Sequence, residues 1–321
     1  MTTTCSSEQG GPILLVDAMN LFARHYIRNP NMSSHGHHAG GVVGFLHAIK
    51  YLVQLVHPSA VYIAWEGGGS SRRRAIFPGY KLNRRPPKLN RYYEGEIPDT
   101  AENRVYQIKA LVGLLKHIPV CQIYVEDCEA DDVIGYLAKN NFKDKKKVIA
   151  SSDRDFYQLL NDKTLMYSWT SKSFVSHVDV LAEHNIAAHN FAVAKVICGD
   201  GSDNIPGVKG VGFKTLAKRF PDLASERELS TRDIIEQAQR FGHKGPKMIA
   251  SIAANADVIE RNWRLMYLDS SNLAAIQIRK IDAAVDCFVP HMNKIELMKA
   301  LNQEGLLNFD VHDLISSFQG Q

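Results

Sequence analysis

Three acidic stretches constrain this chain more than any other feature: EADD at Glu129–Asp132, SSDRDF at Ser151–Phe156, and GDGSDNIPGVKGVG at Gly199–Gly212. Each lies beside a predicted element boundary. A fold that gathers them must place positive charge among them, because neighbouring carboxylates raise one another's pKa until a cation neutralises them. Short apolar runs fit buried strands at Ile13–Asp17, Val61–Trp65, Cys121–Val125 and Val148–Ser151. Helical patterns separate them at Val42–Val56, Ala101–His117, Asp131–Asn140 and Phe156–Leu160. Such alternation predicts an α/β fold with a central, mostly parallel sheet flanked by helices. Ligands of these sheets sit beyond the carboxyl ends of the strands, and Asp17, Glu66, Asp153 and the EADD turn all fall just past a predicted strand end.

Taken singly, EADD reads as the acid-rich first turn of a helix and SSDRD as a capped strand-to-helix turn. Their sum reads differently. Asp17, Glu66, Glu129, Asp131, Asp132, Asp153, Asp155, Asp200 and Asp203 converge on one predicted sheet edge, with oxygen donors only and no His or Cys among them. That donor set suits Mg2+ or Mn2+ rather than zinc. Setting those nine of the 34 acids aside leaves 25 against 38 Lys and Arg, a basic surface around an acidic hole, as a bound polyanion requires.

Two segments fit such a partner. Ser70–Ile97, SSRRRAIFPGYKLNRRPPKLNRYYEGEI, is rich in Arg and Lys with Tyr80, Tyr92 and Tyr93 interleaved. It reads as too polar for a core, and Pro86-Pro87 interrupts a continuous helix, so a mobile basic excursion is expected, with Arg72, Arg73 and Arg74 facing phosphates. GVKGVGFKT at Gly207–Thr215 is not a P-loop, because Phe213 stands where that pattern needs Lys and no strand precedes it. It suits a glycine-rich hairpin between two helices, where Gly207, Gly210 and Gly212 open backbone amides and Lys209, Lys214 and Lys218 grip a nucleic-acid backbone without reading bases.

Other features exclude classes. Cys5, Cys121, Cys128, Cys198 and Cys287 form no CxxC pair, so reduced thiols are expected rather than disulfides or a zinc site. The polar N-terminus and the short run Ile13–Val16 predict neither a signal peptide nor a membrane span, and a soluble, intracellular protein is expected. DAMN after the first strand is not a dinucleotide fingerprint. His35, His37 and His38 read as a flexible polar loop, and Lys143–Lys147 as a solvated turn.

VDAMNLF, FPGYKLNR, VEDCEADDVIGYLA, ASSDRDFYQLL and GDGSDNIPGVKGVGFKTLAKRF together resemble the motif series of the 5′-nuclease, or flap endonuclease, superfamily, in order from about residue 13 to 268. The stand-alone bacteriophage 5′-exonucleases and the 5′-nuclease domain of bacterial DNA polymerase I are the most similar branches. The resemblance implies a PIN/5′-nuclease-like α/β core at 12–190 with a basic arch at 70–100. It further implies a helix-three-turn-helix subdomain at 191–268 and a C-terminal extension at 269–321, expected to hold one helix at Lys294–Leu307. It implies two Mg2+ (or Mn2+): Asp17, Glu66, Glu129 and Asp131 hold the first, Asp153, Asp155 and Asp203 the second, and Asp132 and Asp200 lie outside both shells. Lys81 and Arg84 contact the scissile phosphate, and hairpin carbonyls between Val208 and Val211 hold K+. Glu66 departs from the family's Asp, which puts its metal contact through water.

The implied activity is a structure-selective 5′-nuclease acting on DNA with 5′ flaps or 5′ ends, or on RNA–DNA hybrid, as a monomer alongside replication proteins, in the cytoplasm of a bacterial or phage-infected cell. The competing readings are a nucleic-acid-binding protein with a decayed site, against which the full acid set speaks, and a PIN-type single-strand RNase, which has no use for the Gly207–Gly212 hairpin.

Overall fold

The structure, a computed structural model, describes residues 10–84, 101–241 and 247–319. The expected strands form as β1 (Ile13–Asp17), β2 (Ala60–Trp65), β3 (Cys121–Tyr124) and β4 (Lys147–Ala150); β5 (Thr164–Ser168) and β6 (Ser173–Val175) complete a six-stranded sheet. Its order is β3-β2-β1-β4-β5-β6, and only β6 runs antiparallel to its neighbour. Because side chains alternate along a strand, Ile13, Leu15, Tyr62, Ala64 and Ile149 enter one core while Leu14, Val16, Val61, Ile63 and Val148 enter the other. Burial on both faces explains why these strands read as continuous apolar runs. With β2 on one side of β1 and β4 on the other, the crevice beyond β1 and β4 is the topological switch point of the sheet.

Helices α1 (Ala18–Arg28), α2 (Gly40–Val56), α3 (Ser71–Ile76), α4 (Ala101–Leu115), α5 (Ala130–Tyr136), α6 (His177–His184) and α7 (Phe191–Cys198) connect and extend the sheet. A two-stranded ladder, β7 (Gly199–Asp200) with β8 (Ile205–Pro206), leads to α8 (Phe213–Arg219), α9 (Thr231–Phe241), α10 (Lys247–Ala254) and α11 (Ala256–Met266). Three more follow, α12 (Ala275–Asp286), α13 (Lys294–Gln303) and α14 (Val311–Ser317). One core packs β1 and β2 against α1, α2, α4, α13 and α14. The other runs without a break from the sheet through α5, α7, α8, α9, α10 and α11 to α12.

The differences from expectation are local. Among the described residues after 268 there are three α-helices rather than one: Leu297, Leu301, Leu314 and Ile315 of α13 and α14 close the core over α2 and α4, and Ile281 of α12 enters the other core. Helices α10 and α11 part at Asn255, whose side-chain amide donates 2.7 Å back to the Ser251 carbonyl. Asp131–Asn140 passes from α5 into a π-helical turn at Leu137–Asn141, and Phe156–Leu160 is part of a 3-10 turn, Arg154–Leu159. The histidine loop is ordered: His38 is buried, its Nε2 2.8 Å from the Asn29 carbonyl, and Met32 bridges to His38. Among the described residues no helix is long and apolar enough to cross a membrane. The arch expected around Pro86-Pro87 lies outside the described residues, as do Tyr92 and Tyr93.

Candidate active site

Asp17 ends β1 and caps α1, its carboxylate accepting from the Asn20 amide at 3.1 Å and the Ser151 hydroxyl at 3.1 Å. The same hydroxyl accepts from the Asp153 amide at 3.1 Å, so one serine beyond β4 fixes both acids across the switch point. Asp153 in turn caps the 3-10 turn through the Asp155 amide at 2.9 Å. Glu66, beyond β2, reaches the other side by accepting from the Ala130 amide at the start of α5 (3.1 Å). Its approach depends on Gly67, whose amide donates to the Cys128 carbonyl at 2.9 Å and where an added Cβ would lie 1.6 Å from the Val125 carbonyl oxygen. Gly67→Ala is therefore expected to cost about 1–3 kcal/mol of stability in urea unfolding, the usual penalty of overpacking a site that cannot shift; an unchanged midpoint would show that the two turns are not wedged together.

Charge divides the acids into groups. Glu129 is buried and accepts from Ser70, from Tyr80 at 2.9 Å and from Lys81 at 2.6 Å, with Arg73 at 3.7 Å. Burial alone would raise its pKa, and Arg73 and Lys81 overcome that and hold it at about 2. Asp203 pairs with Arg84 at 2.7 Å, while Lys195 bridges Asp155 and Asp200, the latter at 2.9 Å. Asp200 sits at about 2: burial opposes ionisation there, but Lys195 and Ser202 outweigh it. In the others, and in Asp203, burial wins: Lys195, Arg84 and Lys81 pull Asp153 down and Lys81 pulls Asp131 and Glu66 down without overcoming it. Burial, with Asp153 and Glu66 nearby, pushes Asp17 up to about 6, and burial with Asp153 and Asp17 raises Asp131 well above the carboxylate range. Asp131 makes no hydrogen bond or ion pair among the described residues. Burial likewise raises Asp153, with Asp200 adding to it, and raises Glu66, with Glu129 adding to it.

Among the described residues no three acid, imidazole or thiol side chains stand as a ready metal cage; Lys81, Arg84 and Lys195 occupy the gaps. The donors nonetheless fit a hard divalent cation. They are oxygen only, and Asp17, Asp131 and Asp153 are held towards protonation by burial and mutual repulsion that a cation would relieve.

Three expectations change. Arg73, read as a phosphate contact, is 4 % exposed: its fork grips Asp132 at 2.5 and 2.8 Å and its Nε donates to the Leu265 carbonyl at 2.8 Å, so its donors are spent inside the fold. Asp132 is correspondingly an ion-pair partner, with Asn272 also donating at 3.3 Å. Tyr80, expected in a polar excursion, is buried against Glu129. Arg74 is exposed, and Arg72 donates to the Arg264 carbonyl at 3.2 Å. Lys195 escaped the sequence reading, although a lone lysine in the apolar FAVAKVICGD was its signal.

The glycine hairpin lies between β8 and α8. Gly210 has φ +81°, a left-handed conformation that glycine adopts without steric cost, and it turns the chain so that Lys209, Lys214 and Lys218 are exposed. Gly207 packs against the Cys198 carbonyl, where a Cβ would lie at 2.1 Å, and Gly212 caps α8. Val208 and Val211 are buried, and the Val211 amide donates to the Val208 carbonyl at 3.1 Å. Between hairpin and acids opens a cleft of about 780 Å³ lined by Asp153, Arg154, Lys195, Asp200, Phe213 and Lys214.

A parallel sheet with buried carboxylates at its switch point, internal cations among them and a basic glycine hairpin alongside defines the 5′-nuclease class. The chain belongs to the family described as 5′-3′ exonuclease, N-terminal resolvase-like domain, whose model matches residues 12–188. It is 30% identical over 263 residues to DNA polymerase I of Bacillus subtilis, covering 77% of this chain and 28% of the polymerase, so it spans under a third of that relative. It is 26% identical over 267 residues to the flap endonuclease Xni of Shewanella sp. strain MR-4, covering 83% of this chain and 93% of that protein. The T5 5′-exonuclease with bound divalent zinc shares the fold at a TM-score of 0.64 and 22% identity, over 92% of this chain and 98% of that one.

Proposed function

We propose that the chain is a divalent-metal-dependent, structure-selective 5′-nuclease that hydrolyses phosphodiesters at 5′ flaps and 5′ ends of DNA. The observation that carries this reading is the trio Asp17, Asp131 and Asp153 at the switch point, raised by burial that the neighbouring cations Lys81, Arg84 and Lys195 do not overcome. Two Mg2+ or Mn2+ would be held by Asp17, Glu129 and Asp131, with Glu66 through water, and by Asp153, Asp155 and Asp203, with Asp200 close by. When bound, such ions lower the pKa of a water and stabilise charge on phosphate oxygens.

The protein's own groups do the rest. The Lys81 ammonium and Arg84 guanidinium, now on Glu129 and Asp203, hold the scissile phosphate and offset the charge that develops on it. Lys209, Lys214 and Lys218, with the amides at Gly207, Gly210 and Gly212, grip the duplex backbone without reading sequence, and Arg72 and Arg74 guide the strand entering the site. K+ on the carbonyls of Val208 and Val211 would brace the hairpin. The flap endonuclease and the metal-bound phage exonuclease among its relatives support this reading.

The test incubates the protein with a 5′-labelled DNA flap, an RNA–DNA hybrid and single strands, with Mg2+, Mn2+ or chelator. Flap cleavage that chelator abolishes is expected. Cleavage that survives chelator, or that ignores the branch, would overturn the proposal.

A further inference from the structure

We infer that Asn204 is a positioning residue that latches the segment 79–84 to the turn leading into the glycine hairpin and thereby sets the reach of Lys81. The inference rests on the role proposed above for Lys81. Asn204 stands in the turn between β7 and β8, three residues ahead of Gly207. Its side chain spans the gap in both directions, donating to the Gly79 carbonyl at 2.8 Å and accepting from the Asn83 amide group at 3.1 Å. Its neighbour adds two further ties: the Asp203 carbonyl accepts from the Lys81 amide at 2.9 Å, and its carboxylate pairs with Arg84. Four contacts thus join residues 79–84 to a four-residue turn about 120 positions later in the chain.

Backbone geometry explains why so many ties are needed. Lys81 has φ +54° and Asn204 φ +59°, both in the left-handed region. Asparagine tolerates that conformation, whereas a long side chain such as lysine is held there only when its surroundings over-determine it. The strained backbone at Lys81 aims its ammonium at Glu129, over the face of Tyr80, whose ring centroid lies 5.1 Å away. Without the Asn204 ties the strain would relax and move the ammonium off that line. Because Asn204 belongs to the turn that leads into the hairpin, duplex held there would fix Lys81 through it, and grip would be coupled to chemistry.

The test is a double-mutant cycle. Asn204→Gly keeps the left-handed backbone accessible and removes both side-chain bonds. It is expected to slow single-turnover flap cleavage at saturating DNA by about tenfold, two hydrogen bonds' worth of positioning, and to leave duplex affinity in Ca2+ within about threefold. If Asn204 acts through Lys81, Asn204→Gly with Lys81→Ala will be no slower than Lys81→Ala alone; effects that multiply would overturn the latch. Asn83→Ala alters an exposed side chain and opens only one bond, so it decides the matter should Asn204→Gly fold poorly: a rate loss that vanishes in the Lys81→Ala background supports the latch, and an unchanged rate overturns it. Full cleavage by Lys81→Ala would instead remove the proposed role of Lys81, whereas a slow Lys81→Ala beside a full-speed Asn204→Gly defeats the latch alone.

Discussion

Asp131→Asn is expected to stabilise the metal-free protein at pH 7 while removing cleavage, a loss on the order of 10²–10³ or more, as when a group that balances transition-state charge is deleted. Asp131 is raised by burial and by Asp153 and Asp17, so the native state binds its proton more tightly than the unfolded chain does. For such an acid, stability is fully present below the unfolded pKa and is lost as pH rises through the folded one. Asp17 follows the same sign, with its window running from 3.8 to about 6. That shift of about two units corresponds to about 3 kcal/mol, as an order of magnitude. Glu129 has the opposite sign: its contribution is present above 4.5 and fades as pH falls through about 2.

Asp17 and Asp131 should therefore withdraw stability from the metal-free protein as pH rises from about 4 to about 6, while burial of His25, which lowers it to about 4, works the other way, so the acids are read by comparison with Asp131→Asn; millimolar Mg2+ or Mn2+ should restore what the acids withdraw. In Asp131→Asn both the loss and the metal response should shrink. Melting curves at pH 4.5, 5.5 and 7 with and without metal measure this, at about 1–2 °C per kcal/mol for a chain of 321 residues. A pH dependence in the absence of metal that is the same in the wild type and Asp131→Asn would show that the acids are already neutralised by Lys81, Arg84 and Lys195.

Arg73→Met is expected to cost about 3–5 kcal/mol, because it strands Asp132 in the interior without its bidentate partner and also withdraws a cation from Glu129. Pairing it with Asp132→Leu should recover most of that loss, since replacing both members of a buried ion pair by apolar groups is often neutral or better. Urea unfolding of the two single variants and the double variant gives the coupling. Equal losses in Arg73→Met and the double variant would show that the arginine acts through the Leu265 carbonyl rather than through Asp132.

Much of the fold could be read ahead of the structure because its signals are local. Val61–Trp65 and Cys121–Val125 are apolar runs bounded by turns, and the strands form within a residue of the expected ends. Helix α1 was missed: AMNLFARHYIR begins at once after Asp17, with no turn residue between, and the cap that starts it is the carboxylate already assigned to the site. Helices α12 and α14 were missed because each buries few side chains, Ile281 in one and Leu314 with Ile315 in the other, too few to set up a period.

The acids proposed for the site could be nominated from the sequence, since strand ends follow from periodicity and a parallel sheet sends those ends to one edge. Which of them stay raised and which are held ionised by a partner could not, because compensation acts through space. Arg73 stands in a run of three arginines that read alike, yet one meets Asp132, 59 residues away, and is buried, while Arg74 next to it stays exposed. Lys195 neutralises Asp155 and Asp200 from a helix whose other residues are all apolar. The chain alone determined four of the six strands, the edge they share and the proposed oxygen donors; the tertiary structure added β5 and β6 and decided the pairing of charge with charge, because a Coulomb energy depends on a distance and a burial that no sequence spacing encodes.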